Sequence, residues 1–179
     1  MTQENNKEVT KTCRLCGSGN LQQMIDLGPM PIAHRLAVRV DEETPLYPFG
    51  VSFCPGCGLP QITDPIDPKI LYGEYNYCFS EWKPQPHITD EIDVIKAAID
   101  GGAVFEVGCN DGMFLAALTE AGITDVAGVE PNPYAMAHAR EHGLDVYEGM
   151  LTLDLSREIV ARRGKFKAVV ARQVLEHLQ

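Results

Sequence analysis

An apolar run ends in a glycine turn at Ala103-Val-Phe-Glu-Val-Gly-Cys-Asn-Asp-Gly112, and a second, Val126-Ala-Gly-Val-Glu130, ends on an acid. This pairing constrains the fold more than any other feature of the chain. A β-branched run that delivers a glycine turn into a helix lets the backbone approach a ligand, and a following strand that ends in a carboxylate presents an acceptor pair to ribose hydroxyls. The layout predicts consecutive β–α units of a parallel sheet with a nucleoside site at the strand ends. The glycines, Gly108 and Gly112, form a G-x-x-x-G. The dinucleotide pattern G-x-G-x-x-G fails because Asn110 stands where its second glycine belongs, and Asp111 would oppose a pyrophosphate. A hydride-transferring dehydrogenase therefore conflicts with the loop; an ordinary glycine-rich β–α turn is the plain alternative.

The pattern around this pair alternates. Strands are expected over 103–108, 125–130, 144–148 and 166–171. Helices are expected over 112–121 (closed by Gly122), 133–142 (closed by Gly143) and 154–163. A further helix, capped by Thr89 or Asp90 and stopped by Gly101-Gly102, precedes them, with Ile92, Ile95, Ala98 and Ile99 at helical spacing. Short connections between apolar strands predict an α/β fold, a parallel sheet with helices on both faces. The chain reaches Gln179 just after the fourth strand of this series, which is expected to be an exposed edge.

Residues 13–66 read differently, with four cysteines, many turn residues and few apolar periods. They predict a small module held by something other than a large core. Residues 67–88, rich in proline and aromatics, read as a bridge, and 89–179 as the sheet domain. Cys13-Arg-Leu-Cys16 and Cys54-Pro-Gly-Cys57 are two C-x-x-C knuckles, each followed by a glycine that permits the tight turn beneath the sulfurs. Four thiolates make a closed tetrahedral set suited to structural Zn²⁺, with no open position for catalysis; a redox dithiol is the alternative. The separation of the pairs predicts a hairpin or loop between Gly28 and Phe53. Cys78 and Cys109 fall outside the set and read as small buried hydrophobes.

Charge and composition exclude several classes. A net charge of −10 and a pI near 4.9 oppose attraction to nucleic acid or an anionic membrane surface. No apolar run is long enough for a signal peptide or a membrane span, so a cytoplasmic protein is expected, with its cysteines reduced or metal-bound.

Glu106-x-Gly108-x-x-x-Gly112 resembles the first motif of class I S-adenosylmethionine methyltransferases, in which Asp111 suits a phosphate-free, cationic sulfonium. The two knuckles, Ile25-Asp-Leu-Gly-Pro-Met-Pro31, Gly58-Leu-Pro-Gln61, Tyr75-Asn-Tyr77 and the glycine-loop strand occur in one order. Together they resemble the zinc-module methyltransferases related to deoxysugar C-methyltransferases, across nearly all of residues 13–179. The resemblance implies a zinc module followed by a Rossmann-like domain, here cut after its fourth strand, with inactivity of residues 1–179 alone expected. It implies two cofactors, S-adenosylmethionine and Zn²⁺, and a small-molecule acceptor, a nucleotide-linked ketosugar methylated at carbon through an enolate. By motif position it assigns proton transfer to His177 and enolate stabilisation to Tyr77, with a polar pocket wall and interface packing as their plainer roles. It places Glu106, Gly108, Asn110, Asp111 and Gly112 at the amino-acid end of the cofactor. Glu130 falls at the ribose, Pro131, Asn132, Gly149 and Met150 around the adenine, and Gln173 near the methionine moiety. Glu106 as a structural loop anchor stays open. Cys78-Phe-Ser-Glu-Trp82 departs from the family's serine-rich stretch and leaves the acceptor open, as it leaves open a noncatalytic zinc-dependent binding module.

Overall fold

The computed structural model describes residues 11–35, 37–72, 78–81 and 85–177. The chain clusters into two compact units, one running through Leu71 and one from Tyr72 to Leu178.

The first unit is a three-stranded antiparallel sheet in the order β1 (Gln22–Pro31), β2 (Leu46–Phe53), β3 (Pro60–Ile62). The expected hairpin between the knuckles is present. It is longer than anticipated, because β1 pairs with β2 from Gln22↔Phe53 to Pro31↔Leu46. The ladder is irregular between Asp26 and Pro29, where Gly28 adopts φ +69° and donates its N–H to Asp26 Oδ1 at 2.8 Å. Among the described residues of this unit only Cys13, Ile32, Ser52, Cys54 and Gln61 are buried. So little apolar burial cannot offset the ordering of about sixty residues at ~1–2 kcal/mol each. A short helix, α1 (Pro68–Tyr72), follows, its first turn fixed by Asp67 Oδ1 accepting from the Lys69 N–H.

The second unit is a parallel sheet in the order β6-β5-β4-β7, from β4 (Val104–Val107), β5 (Val126–Glu130), β6 (Val146–Glu148) and β7 (Ala168–Ala171). Its helices are α2 (His87–Ala98), α3 (Met113–Glu120), α4 (Pro133–Glu141) and α5 (Leu153–Arg163). They cover both faces. Ile92 and Ile95 of α2, Phe114, Leu115 and Leu118 of α3 and Met136 and Ala139 of α4 pack on one face with Val104 and Val126. Ile159 of α5 packs on the other with Phe105, Val107, Ala127 and Val129. Strand periodicity puts Glu106 on the face of Val104, beneath the three helices.

The anticipated elements are present, shifted at their ends by one to three residues. One start differs for a chemical reason. α2 begins at His87, after Pro86 at φ −62°, with no side-chain cap, so Thr89 and Asp90 lie inside the helix. Asp90 then sits in the first turn, where the helix dipole favours a negative charge. α4 has the expected chemistry: Asn132 caps it, its Oδ1 accepting from the N–H groups of Tyr134 and Ala135, with Pro133 opening the helix. Among the described residues no helix is long and apolar enough to cross a membrane.

The chain starts at β4, runs outward through β5 and β6, and returns to place β7 on the other side of β4. The strand order reverses at β4, which has β5 on one side and β7 on the other, and a crevice opens at the carboxyl ends of these central strands.

Candidate functional site: a metal cluster and a cofactor cleft

The two knuckles have matching geometry. Gly17 donates its N–H to the Cys13 carbonyl at 2.8 Å, as Gly58 does to that of Cys54, both glycines lying at positive φ. Gln61, near-buried on β3, ties the first knuckle down, accepting from the Arg14 N–H at 3.0 Å and donating to the Thr12 carbonyl at 3.3 Å. The four sulfurs converge. Cys13 and Cys57 Sγ are 3.5 Å apart, Cys16 and Cys54 Sγ 3.6 Å, and all four lie within 4.8 Å of one another. A tetrahedron with Zn–S bonds of about 2.3 Å has edges of about 3.8 Å, so the donor set fits zinc by spacing and by softness. The thiols respond to one another unequally. The Cys16 backbone N–H draws Cys13 down to about 6. The Leu59 N–H favours the Cys57 thiolate, but burial and the three neighbouring thiols outweigh it and push Cys57 up to about 12. Four thiolates this close repel one another, and a divalent cation removes the repulsion.

The second site lies in the crevice of the sheet unit, a cleft of about 220 Å³. The anticipated Gly108, Asn110, Glu130, Pro131, Gly149, Met150, Gln173 and His177 all line it. The glycine loop reaches it through unusual backbone: Gly108 lies at φ +69°, Asn110 at +51° and Gln173, after β7, at +51°. Non-glycine residues seldom occupy this region, and such strain persists where the surroundings fix it. At Asn110, Glu130 does the fixing. Its Oε2 accepts from the Asn110 N–H and its Oε1 from the Asn132 N–H, both at 2.8 Å. Burial raises its pKa against the pull of these two N–H groups. Each oxygen keeps a second lone pair for a ligand hydroxyl.

Glu106, Asp111, Gly112 and Asn132 do not line this cleft. Asp111 is buried, with Oδ2 accepting from the Ser80 N–H at 2.7 Å and Oδ1 from the Met113 N–H at 3.2 Å. Asn110 Oδ1 likewise accepts from the Phe79 N–H at 3.0 Å. Both side chains pin residues 79–80 to the loop, and that accounts for two polar residues where other loops carry glycine. Asn132 is committed to capping α4. Gly112 answers to packing: at φ +78°, a Cβ there would collide with Leu144 and come within 3.2 Å of Ala139. Gly112→Ala is expected to destabilise the protein by about 2–4 kcal/mol through left-handed strain and overpacking. A chemical-denaturation midpoint unchanged by the substitution would contradict this.

Glu106 faces a smaller chamber of about 70 Å³ that shares Phe79, Gly108, Arg172 and Gln173 with the cleft. Its Oε1 lies 3.6 Å from Arg172 Nη1, and its buried Oε2 has no hydrogen-bond partner among the described residues. Burial pushes its carboxyl up to about 8, against the opposing pull of Arg172. Arg172 also donates from Nε to Glu91 Oε2 at 2.8 Å and lies over the Phe114 ring at 4.2 Å. His177, about half exposed, sits at the mouth of the cleft edge-on to Tyr72, with ring centroids 5.7 Å apart. Tyr77 lies outside the described residues. Sequence reasoning missed Tyr72, Phe79 and Arg172. Arg172 carried a usable signal, since it immediately follows a predicted strand on the side where parallel sheets bind ligands. Tyr72 and Phe79 carried none, because a loop sequence does not say where its residues return.

Residues 83–179 match the family described as "Methyltransferase domain", and residues 13–72 match one described as "Putative zinc binding domain". The chain belongs to the methyltransferase-domain family, with the zinc-binding domain on its amino-terminal side. It is similar to the C-methyltransferase NovU of Streptomyces niveus, 30% identical over 173 residues that cover 93% of this chain and 41% of that protein. The chain thus spans well under half the length of this curated relative. Among solved structures it is similar to the sugar N-methyltransferase KedS8 of Streptoalloteichus sp ATCC 53650. That match is 24% identical with a TM-score of 0.38, over 49% of this chain and 34% of that one. The amino pentose methyltransferase CalS10 of Micromonospora echinaspora matches at 26% identity and a TM-score of 0.37, over 48% and 35%.

Proposed function

We propose that the protein belongs to an S-adenosylmethionine-dependent methyltransferase that acts on a nucleotide-linked ketosugar, with carbon as the methyl acceptor. The observation that carries this reading is the cleft at the strand-order reversal, with Glu130 and the Gly108 loop on one wall and His177 at its mouth. The loop lacks the glycine spacing a pyrophosphate needs, and the similarity to a named C-methyltransferase supports carbon over nitrogen or oxygen.

Bound S-adenosylmethionine supplies an electrophilic methyl group. Glu130 would accept hydrogen bonds from the ribose, while Pro131, Gly149 and Met150 exclude water around the adenine. His177 stands where an acceptor would enter, within reach of the proton on the carbon beside the sugar carbonyl, and its imidazole can take that proton. Tyr77 is assigned the oxyanion that forms there. Cys13, Cys16, Cys54 and Cys57 would together fill the coordination of a bound zinc, so that site would contribute folding and not chemistry.

Glu130→Ala tests the assignment. It is expected to weaken S-adenosylmethionine binding by about 2 kcal/mol, the value of a charge-assisted acceptor pair. Titration calorimetry on folded variant protein reads this directly, and unchanged affinity would remove Glu130 from the site. His177→Ala should lower turnover more than cofactor affinity; full turnover would leave His177 as a wall of the pocket.

A further inference from the structure

The chain contains two Asp-Gly dipeptides, Asp100-Gly101 and Asp111-Gly112, and the fold treats them in opposite ways. Asp111 is buried, its carboxylate held by the N–H groups of Ser80 and Met113. The Gly112 N–H is engaged as well, donating to the Cys109 carbonyl at 2.9 Å. Asp100 and Gly101 are exposed, in the link between α2 and β4. Neither the Asp100 carboxylate nor the Gly101 N–H has a hydrogen-bond partner among the described residues. The link is anchored on both sides of this pair. Ile99 donates its N–H to the Ile95 carbonyl at 3.0 Å and packs against the core. Gly102 lies beneath Lys167, whose Cγ would stand 2.5 Å from a Cβ there, and the Lys167 N–H donates to the Ala103 carbonyl at 2.8 Å. Gly101, at φ +70°, has nothing beyond its chain neighbours within 4 Å of where a Cβ would stand, and it lines an open groove of about 330 Å³ with ample room for water.

We infer that Asp100-Gly101 is a site of spontaneous isoaspartate formation, with water as its only co-reactant, and that the fold protects Asp111-Gly112 from the same reaction. The Gly101 nitrogen bonds to Asp100 Cγ, and the nitrogen's proton leaves with the carboxyl hydroxyl as one water. The resulting succinimide then takes up one water. Addition at Cγ restores aspartate. Addition at the Asp100 main-chain carbonyl breaks the original peptide bond and leaves the chain running through Cβ. No electrons are exchanged, and the product has the mass of the starting chain. At Gly101 no side chain obstructs the nitrogen and no hydrogen bond has to break first. At Asp111 the bonds from Ser80, Met113 and Gly112 all stand in the way. The isomerised main chain is one atom longer between the Ile99 and Gly102 anchors, just ahead of the strand that carries Glu106.

Peptide mapping of protein aged at neutral pH and physiological temperature tests this, with electron-transfer fragmentation to tell the two isomers apart. Asp111 can react only after its loop opens, at a cost in local unfolding free energy. Isoaspartate should therefore accumulate at Asp100 at least ~10-fold faster than at Asp111. In urea that unfolds the whole chain the two rates should converge to within about threefold, because the dipeptides are chemically alike once nothing holds them. Asp100→Glu, whose longer side chain must close a larger ring, should remove the product at that position. Equal rates at the two positions in the folded protein overturn the inference, as does an Asp100 that reacts in urea but not in the folded chain. A difference that persists undiminished in urea also overturns it, since the neighbouring residues and not the fold would then set the rates. A product signal that survives in Asp100→Glu would place the modification elsewhere and overturn it too.

Discussion

Removing the metal, by chelation or by the double substitution Cys54→Ser/Cys57→Ser, is expected to unfold the amino-terminal unit. The expected loss is about 10–16 kcal/mol of apparent folding free energy at neutral pH, the scale of small structural zinc sites. The size follows from what else is available. The buried side chains described in this unit are few, two of them are Cys13 and Cys54 of the four-sulfur cluster, and β1 exposes Met24, Ile25, Leu27 and Met30. Among the described residues no apolar core remains to hold the hairpin once the sulfurs part. Elemental analysis should find one zinc per chain, and far-ultraviolet circular dichroism with limited proteolysis should show the strands lost on chelation. Protein purified without chelator yet free of zinc, or a double variant that keeps its zinc, would refute the assignment.

A second large effect is expected from pH, acting through Glu106. Its carboxyl keeps its proton up to about 8 in the folded protein, against an ordinary value of 4.5. Between those values the folded state binds the proton that the unfolded state has released. The contribution of Glu106 to stability is therefore complete below pH 4.5 and is lost progressively as pH rises to about 8. The loss reaches at most about 5 kcal/mol over that window. Glu130, raised in the same direction by burial, adds to the trend. Glu106→Gln replaces the protonated acid with a neutral group of the same shape, so the variant should be the flatter of the two across pH 5–9 and the more stable above pH 8. Urea unfolding at a series of pH values checks this. Parallel profiles for the two proteins would mean that Glu106 is ionised in the folded state.

Much of the architecture was legible because its causes are local. The periods of Val104–Val107 and Val126–Glu130, the cap at Asn132 and the knuckle glycines Gly17 and Gly58 each act within a few residues, and the structure agrees with them. The start of α2 was misread because Pro86 and His87 can open a helix without a side-chain cap, so the better capping residues, Thr89 and Asp90, drew the boundary inward. In the glycine loop beside the cleft, the roles of Asp111 and Gly112 were invisible for a related reason. The sequence shows a carboxylate and a glycine in a loop, but their partners, Ser80 and Leu144, lie thirty or more residues away.

The kinds of elements, their order, the cysteine set and the acid that closes the second strand of the cleft follow from the residues alone, because each depends on side-chain periodicity or on spacing over a few residues. Folding brings Arg172 to Glu91 and Glu106 beside the cleft, sets Tyr72 against His177, and buries Glu106 so that its carboxyl is raised. Those facts depend on which distant strands become neighbours and on how much water the packing removes, and both are properties of the assembled sheet with its helices.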